Sequence, residues 1–289
     1  MTSEPPPIAG VRRSYVDARG VRFHVTEAGP ADGRPVLALH GWPEHHWAYR
    51  DLLADPPPGL RVIAPDLPGY GWSGPAPHKW AKEDVASDVL SLLDALGLER
   101  MLLVGHDWGA LVGYLMILRA PDRFDGYLAL NMAHPWVTPR VLLPQLWRFL
   151  YQPPLALFGV ALQQRTPYIE RVIFGVGGRG MDSATARVYA ERFREPVVAR
   201  AGRDTYRTFL VREIPGGARH PETRRATVPI RALFGVNDFP VHPSLADPET
   251  ANADDYTLET VDGAAHFIID ERPDLVRAKL ITLADETRR

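Results

Sequence analysis

The feature that most constrains this chain is a Gly-His-Asp-Trp-Gly run at 105–109, which lies between two apolar segments. The segment before it is short and favours a strand, and the segment after it, 110–118, is long enough for a helix. Side chains at the two glycine positions would collide with the neighbouring strand or helix. The run therefore predicts a sharp strand–turn–helix junction with a strained Asp107 at the carboxyl edge of a sheet. A carboxylate there can attack carbon and form an ester, although an ordinary turn fits the same run.

Apolar segments that favour buried strands alternate with helical patterns along most of the chain. The predicted strands lie at 14–16, 21–26, 35–39, 61–64, 101–104, 124–130, 229–235 and 256–261. Helices are predicted at 47–53, at 83–96, where apolar residues recur at helical spacing, and at 275–283. The alternation predicts an α/β fold with a mostly parallel sheet, whose functional residues collect at the carboxyl ends of the strands.

The pattern changes between residues 134 and 227, where proline and aromatic residues accompany helical stretches at 141–150, 184–195 and 204–211. A glycine-rich stretch at 175–180 separates the first two. We predict that residues 1–133 and 228–289 form the two parts of an α/β core. Residues 134–227 would form an inserted helical cap, or lid, that covers the site and excludes water.

Composition excludes several classes of function. The formal net charge of −2 gives no electrostatic reason to expect nucleic acid or an anionic membrane as a partner. The absence of cysteine excludes disulfides, thiol catalysis and thiolate metal sites. There is no signal-peptide pattern, and no apolar stretch reaches the roughly 20 residues that span a bilayer. We expect a cytoplasmic protein without membrane insertion, either a monomer or a homodimer.

A His-Gly-Trp-Pro-Glu run at 40–44 directly follows the predicted strand at 35–39. A glycine at a strand end lets backbone N–H groups turn toward a shared point. The backbone N–H groups of Trp42 and Trp108 are therefore candidates for an oxyanion hole. His40 is better explained as a structural histidine that braces loops. His45 and His46 are adjacent and no His-Glu-x-x-His pattern occurs, so we assign no metal and expect no cofactor.

Asp107, Asp238 and His266 each fall just past a predicted strand, in the order nucleophile, acid, histidine. Together with the runs at 40–44 and 263–267, they resemble the α/β-hydrolase superfamily. Within it they are similar to the epoxide hydrolase and haloalkane dehalogenase branch, and most similar to soluble bacterial epoxide hydrolases. The resemblance extends from about residue 14 to the C-terminus.

The resemblance implies the α/β-hydrolase fold and a role for each of the three side chains. Asp107 would be the nucleophile, His266 the general base, and Asp238 the acid that orients the base. Asp262 is an alternative acid, but it lies only four residues before His266 and has no strand end of its own.

Epoxide hydrolases resemble one another in two lid tyrosines that assist the departing oxygen. Tyr206, in a Tyr-Arg dipeptide, is similar to the second of them. The first usually stands five residues before the glutamine of a Gln-x-Pro stretch, and here Trp147 occupies that position. This is a departure from the family pattern, because an indole N–H donates a hydrogen bond but cannot release a proton as a phenol can. Tyr151 is a nearby phenol that could substitute in a different helical register.

The resemblance implies an epoxide hydrolase that opens a lipophilic epoxide to a vicinal diol. Asp107 would form an alkyl ester, and a water activated by His266 would hydrolyse it. One alternative is a haloalkane or haloacid dehalogenase with the same covalent mechanism, in which Trp108 and Trp147 donate N–H groups to the halide. Against it, fluoroacetate dehalogenases carry arginine at the position of Trp108, and haloalkane dehalogenases carry asparagine at that of Trp42. A second alternative is a catalytically weak small-molecule-binding protein of the same fold.

Overall fold

One sheet organises the molecule, for which a computed structural model describes residues 4–173, 175 and 181–288. Its strands are β1 Arg12–Ala18, β2 Val21–Ala28, β3 Arg34–Leu39, β4 Leu60–Pro65, β5 Met101–His106, β6 Phe124–Leu130, β7 Ile230–Gly235 and β8 Tyr256–Val261. Their order across the sheet is β1-β2-β4-β3-β5-β6-β7-β8. The strand β2 runs antiparallel to β1 and β4, and all other neighbours are parallel. The predicted α/β class and mostly parallel sheet are confirmed.

Helices connect the strands. The α-helices of the described residues are α1 Arg50–Ala54, α2 Lys82–Ala95, α3 Trp108–Arg119, α4 Pro139–Leu142, α5 Gln152–Arg165, α6 Tyr168–Val172, α7 Ser183–Arg192, α8 Pro196–Thr208, α9 Ile214–Arg219, α10 Ile268–Glu271 and α11 Pro273–Glu286. A π-helical turn, Phe209–Glu213, follows α8 directly. None of the helices in the described part of the chain has the length and apolarity needed to cross a membrane.

The centre of the sheet is its most apolar and best-covered part. Every residue of β5 is buried, whereas most of β1 and half of β8 are exposed at the two edges. A parallel strand covered on both faces needs a continuous apolar sequence, which explains why these segments could be recognised from sequence. The predicted strands at 124–130 and 256–261 coincide with β6 and β8, and the others differ only at their ends.

Helices α4 to α9 fill the chain between β6 and β7, but two of them differ from the prediction. The helix predicted at 141–150 is divided, because α4 gives way to a 3-10 segment, Leu143–Phe149. Pro144 has no N–H to donate within an α-helix, which favours the tighter turn there. The helix predicted at 204–211 begins earlier, at Pro196, because proline suits the first helical turn. Most of the glycine-rich stretch at 175–180 lies outside the described residues, and the domain boundaries stay a prediction.

The junction of β5 and α3 requires glycine at position 109. A Cβ atom there would lie 2.3 Å from the backbone oxygen of Leu39 and 2.4 Å from that of His40. Because both neighbours are backbone atoms, neither can rotate away. The absence of a side chain at Gly109 therefore lets α3 pack directly against the end of β3.

We predict that Gly109→Ala lowers the free energy of unfolding by about 3 kcal/mol or more, because backbone must shift to admit the methyl group. Urea unfolding followed by tryptophan fluorescence measures the change. Gly217→Ala in α9 is the control, since a Cβ there would meet no atom within 4 Å. Equal stability of the two variants would contradict the close-approach explanation.

Candidate active site

Asp107 stands at the junction of β5 and α3 in a backbone conformation that is rare for a residue with a side chain. Its φ is +48° and its ψ is −126°, which agrees with the strain predicted from sequence. The conformation directs the side chain across the sheet edge, where its Oδ2 accepts a hydrogen bond of 2.9 Å from the Trp42 N–H. A Cβ at Gly41 would lie 2.5 Å from the Asp107 Cβ, so glycine at 41 makes room for this carboxylate.

The Asp107 carboxyl group is buried, and burial raises its pKa. The charges of His266 and His106 oppose that effect, as do hydrogen bonds from the backbone N–H groups of Trp42 and Trp108. Both backbone N–H groups expected from sequence therefore meet at one carboxylate. Two amide donors and a nearby histidine are a suitable setting for a carboxylate that must stay ionised away from water.

His266 lies between two carboxylates. Its Nε2 is 3.8 Å from the Asp107 Oδ1, and its Nδ1 is 3.0 Å from the Asp238 Oδ2. Burial lowers the pKa of His266, but the charge and hydrogen bond of Asp238 outweigh burial and the net pKa is raised. The alternative acid, Asp262, is exposed at the surface. The structure thus brings together Asp107, His266 and Asp238, and not Asp262.

Asp238 is held by two further groups. Its Oδ2 accepts a hydrogen bond of 2.6 Å from the Asn131 amide, and its Oδ1 accepts one of 2.8 Å from the Val241 N–H. Asn131 follows β6 with a φ of +48° and also donates to the Ala265 carbonyl. Asn131 directly follows the predicted strand at 124–130, but the sequence alone assigns it no role. Its position at a strand end was the available signal, and its contact with Asp238 required the fold.

A buried ion pair beneath Asp107 was missed at the sequence level. The His106 Nδ1 lies 2.8 Å from the Glu44 Oε2, and the His106 Nε2 lies 2.7 Å from the backbone oxygen of His266. Burial lowers the pKa of His106, but Glu44 outweighs it and raises the pKa to about 9. A doubly protonated imidazole donates to both partners, and Glu44 also accepts from the Gly41 N–H. The pair therefore joins the loops that carry Gly41, Asp107 and His266.

Two phenols lie near the Asp107 carboxylate. The buried Tyr206 ring lies between the indoles of Trp42 and Trp108, with centroids 5.1 and 5.6 Å away. The Tyr151 ring lies 5.8 Å from Tyr206. Burial raises the pKa of both phenols, and the charge of Asp107 raises it further. The structure thus places Tyr151 and Tyr206, both protonated, next to each other and near enough for the charge of Asp107 to act on both.

The structure does not bring Trp147 to this pair. Its side chain is 53% exposed and packs on Phe239, with centroids 5.5 Å apart, beneath the Arg148 guanidinium. The 3-10 segment that contains Trp147 turns by a different angle per residue than an α-helix does, so counting back from the Gln-x-Pro stretch fails. The phenol suggested as a substitute, Tyr151, lies at the site instead.

Lys82 is a second buried charge that sequence reasoning missed. Its Nζ lies 2.7 Å from the Glu213 carboxylate, donates to the Thr205 carbonyl at 2.8 Å, and lies 4.3 Å above the Trp108 ring. Burial lowers the pKa of Lys82 to about 8, although Glu213 favours its charged form. The contact ties the start of α2 to the end of α8, one residue before Tyr206.

One cluster among the described residues has donor atoms close enough for a metal ion, namely His24, His46 and Asp66. Each imidazole Nδ1 is already 2.9 Å from an Asp66 oxygen, and the His46 and Trp72 N–H groups also donate to that carboxylate. These contacts satisfy the hydrogen-bonding capacity of the Asp66 carboxylate. The cluster is therefore explained as a structural support for the loops that carry these residues. His40 has a similar role, because its Nε2 accepts a hydrogen bond from the Leu67 N–H. The assignment of no metal stays a prediction.

Comparisons with known proteins agree with this architecture. A family model described as "alpha/beta hydrolase fold" matches residues 34–273. Epoxide hydrolase 4 from Homo sapiens is 27% identical over 291 residues, which cover 93% of this chain and 78% of that protein. Haloalkane dehalogenase 2 from Mycobacterium bovis is 26% identical over 285 residues, which cover 97% of each.

A solved structure supports the same fold. A mutant of an epoxide hydrolase from Vigna radiata superposes with a TM-score of 0.79 at 18% identity, covering 96% of this chain and 100% of that one. At that identity the likeness concerns the fold alone. The predicted fold class and family resemblance are confirmed.

The buried pair of Glu44 and His106 predicts a pH-dependent stability. The folded-state pKa of His106, about 9, lies above its ordinary value of 6.5. The stabilisation is therefore complete below about pH 6.5 and is lost as the pH rises through about 9. We expect Glu44→Gln to lower the free energy of unfolding by about 3 kcal/mol at pH 6.5. The variant should also lose this part of the pH dependence.

Urea unfolding at a series of pH values from about 6.5 to 9 measures both effects. The matched control is Glu259→Gln, because Glu259 pairs with Lys279 at the surface. It should change the free energy of unfolding by less than about 1 kcal/mol and keep the slope with pH. An unchanged slope in Glu44→Gln would contradict the charged state assigned to His106.

Proposed function

We propose that this chain, which belongs to the α/β-hydrolase fold family, hydrolyses a lipophilic epoxide to a vicinal diol through an ester on Asp107. The model of that family matches residues 34–273. The observation that carries the proposal is a pair of adjacent phenols, the buried Tyr206 and the half-buried Tyr151, near a carboxylate on a strained turn. Residues 134–227 would act as the cap that holds these phenols over the core.

In the first step the Asp107 carboxylate attacks a ring carbon and the carbon–oxygen bond breaks. The Oδ2 atom rests on the Trp42 N–H, which leaves Oδ1 as the attacking oxygen. The departing oxygen develops negative charge, and Tyr151 and Tyr206 would donate hydrogen bonds and a proton to it. Their raised pKa values support this role, because both phenols keep their protons until the ring opens.

In the second step His266 removes a proton from water, and the hydroxide formed attacks Cγ of the ester. Asp238 would hold the ring of His266 and stabilise its charged form. The ester oxygen that becomes negative is the one already next to the Trp42 and Trp108 amides. These groups would form the oxyanion hole, since they meet the oxygen without rearranging. Collapse of the intermediate expels the diol oxygen, which takes the proton of the added hydroxyl, and restores the Asp107 carboxylate. The proton held by His266 then replaces the one that the phenol gave up.

A dehalogenase is the second candidate, and one observation favours it. Within the described residues, the buried indole N–H of Trp108 makes no hydrogen bond of standard length and angle, and only a weak interaction with Tyr206 lowers the pKa of that phenol. A halide that leaves the substrate carbon as Asp107 attacks would accept a hydrogen bond from this N–H. The second donor expected for a halide, Trp147, lies at the surface beside Phe239, which weakens this candidate.

A weakly catalytic binding protein is the third candidate. Tryptophan at the first lid-tyrosine position favours this candidate, but Tyr151, which lies next to Tyr206, would supply the phenol that this position lacks. A protein that only binds has no need of a base next to a nucleophile. Product assays separate the three candidates, since an epoxide hydrolase forms diols, a dehalogenase releases bromide from bromoalkanes, and a binding protein does neither.

We predict that His266→Gln forms the Asp107 ester but hydrolyses it at least about 10³-fold more slowly than the unchanged enzyme. Intact-protein mass spectrometry after mixing with a styrene-type or aliphatic epoxide should show one added substrate mass. Peptide mapping should place that mass on Asp107. An Asp107→Asn, His266→Gln double variant is the control and should stay unmodified. A turned-over substrate that leaves no adduct on His266→Gln would contradict the covalent mechanism.

We predict that Tyr151→Phe and Tyr206→Phe each slow formation of the Asp107 ester by about 10²-fold, because each removes a donor to the departing oxygen. Trp147→Phe should change the rate by less than about twofold, since it keeps an aromatic ring at the surface. Rapid-mixing fluorescence measures the rate in a single turnover. The opposite ranking, in which Trp147→Phe slows ester formation and Tyr151→Phe does not, would show that Trp147 and not Tyr151 takes the role of the first lid tyrosine.

The cytoplasmic location and the choice between monomer and homodimer stay predictions from the sequence.

A further inference from the structure

The charges of this chain are divided very unevenly between its two regions. Residues 134–227 contain 15 arginines, no lysine and 7 acidic residues, a formal charge of +8. The remaining residues carry the other 18 basic and 28 acidic side chains, a formal charge of −10. The net charge of −2 conceals this division, so whole-chain charge is a poor guide to what the helical region can bind.

The outer face of α5 is apolar and exposed. Toward the protein, α5 buries the residues Gln152, Leu155, Ala156, Gly159 and Gln163. On the opposite face, Leu157 is 71% and Phe158 is 66% exposed, and Ala161 is exposed between them and Arg165. A helix that is apolar on all sides is ordinarily covered on all sides. This face is therefore a candidate for contact with a further apolar phase.

A row of arginines runs beside that face. Arg200, Arg203 and Arg207 recur every three or four residues on α8 and share one side of the helix. Arg203 closes one wall of a surface groove whose other wall includes Leu157, Phe158 and Arg165. Arg203 is paired with Asp204, whereas Arg165, Arg200 and Arg207 have no carboxylate within 4.0 Å in the described ranges.

We propose that this surface, formed by the outer faces of α5 and α8, docks on a membrane surface that contains anionic lipids. Leu157 and Phe158 would enter the boundary between headgroups and acyl chains, and Arg165, Arg200 and Arg207 would contact the phosphates. Exposed leucine and aromatic side chains beside arginines are the composition of helices that lie in this interface. The contact is peripheral and requires no membrane-spanning segment. It goes beyond the proposed reaction and does not depend on it.

Charge selects this occupant over a second copy of the chain. Two copies that met through this surface would bring two regions of charge +8 together, and like charges oppose such a symmetric contact. A contact with the acidic core of another copy would be head-to-tail, and such contacts extend into open chains rather than closing. Nucleic acid phosphates would match the arginines but would leave Leu157 and Phe158 in water.

Vesicle co-sedimentation of the full chain tests the proposal. We expect binding to phosphatidylcholine vesicles that contain about 30% phosphatidylserine, and little binding to phosphatidylcholine alone. Raising the ionic strength from about 0.05 M to 0.5 M should weaken binding at least tenfold, because screening shortens the reach of the arginines. The double variant Arg200→Gln, Arg207→Gln should weaken binding by about tenfold or more. The double variant Leu157→Gln, Phe158→Gln should do the same through loss of apolar burial.

The matched control is the double variant Arg277→Gln, Arg288→Gln, which changes the net charge equally but alters arginines outside residues 134–227 that pair with Asp55 and Asp285. It should bind anionic vesicles as the unchanged protein does. Thermal unfolding of each variant tests whether the fold is retained. We expect each unfolding midpoint to lie within a few degrees of that of the unchanged protein. If the Leu157→Gln, Phe158→Gln variant unfolds at a lower temperature, the single variant Phe158→Ser replaces it. This variant should also bind anionic vesicles more weakly than the unchanged protein.

Three results would overturn the proposal. The first is no binding to anionic vesicles at low ionic strength. The second is equal binding by the surface variants and the core control, which would locate the contact elsewhere. The third is a dimer, seen by light scattering, that the Leu157→Gln, Phe158→Gln variant dissociates, since a second copy would then cover this face.

Discussion

The structure depends on a carboxylate that is held out of water on a strained backbone. Asp107 can keep a positive φ only because β5 and α3 are packed on either side of it, and strain of this kind costs about 1–3 kcal/mol. Burial raises the pKa of the carboxyl group, and the Trp42 amide and two histidines oppose that shift. A carboxylate that has lost its water and kept its charge is a stronger nucleophile than one at the surface. The neighbouring amides and histidines favour this buried, ionised form of Asp107.

The sequence predicted the parts of the molecule in which pattern and position are tightly coupled. Strands such as β6 were recognisable because a strand buried on both faces must be apolar throughout. Asp107, Asp238 and His266 could be named as candidates because each lies within about five residues of the end of a strand, and the carboxyl ends of parallel strands meet at one edge. The strained turn followed from its two flanking glycines.

Contacts between distant segments could not be predicted in the same way. Glu44 and His106 are 62 positions apart, and no local pattern indicates that they form a buried pair. Tyr151 was named only as a substitute, because the change from α-helix to 3-10 helix before it cannot be counted from residue spacing. Lys82 begins a helix, where lysine is ordinarily exposed, and its burial against Trp108 comes entirely from tertiary structure.

The central claim is that the Asp107 carboxylate itself becomes bonded to the substrate. A single turnover in ¹⁸O-labelled water, with enzyme in excess over epoxide, tests it most directly, followed by mass analysis of the peptide that contains Asp107. If water attacks the ester at Cγ, the label enters the Asp107 carboxylate and the first diol formed carries an unlabelled oxygen from the protein. A diol that takes up the label while Asp107 stays unlabelled would mean that water attacks the epoxide directly, and would contradict the account.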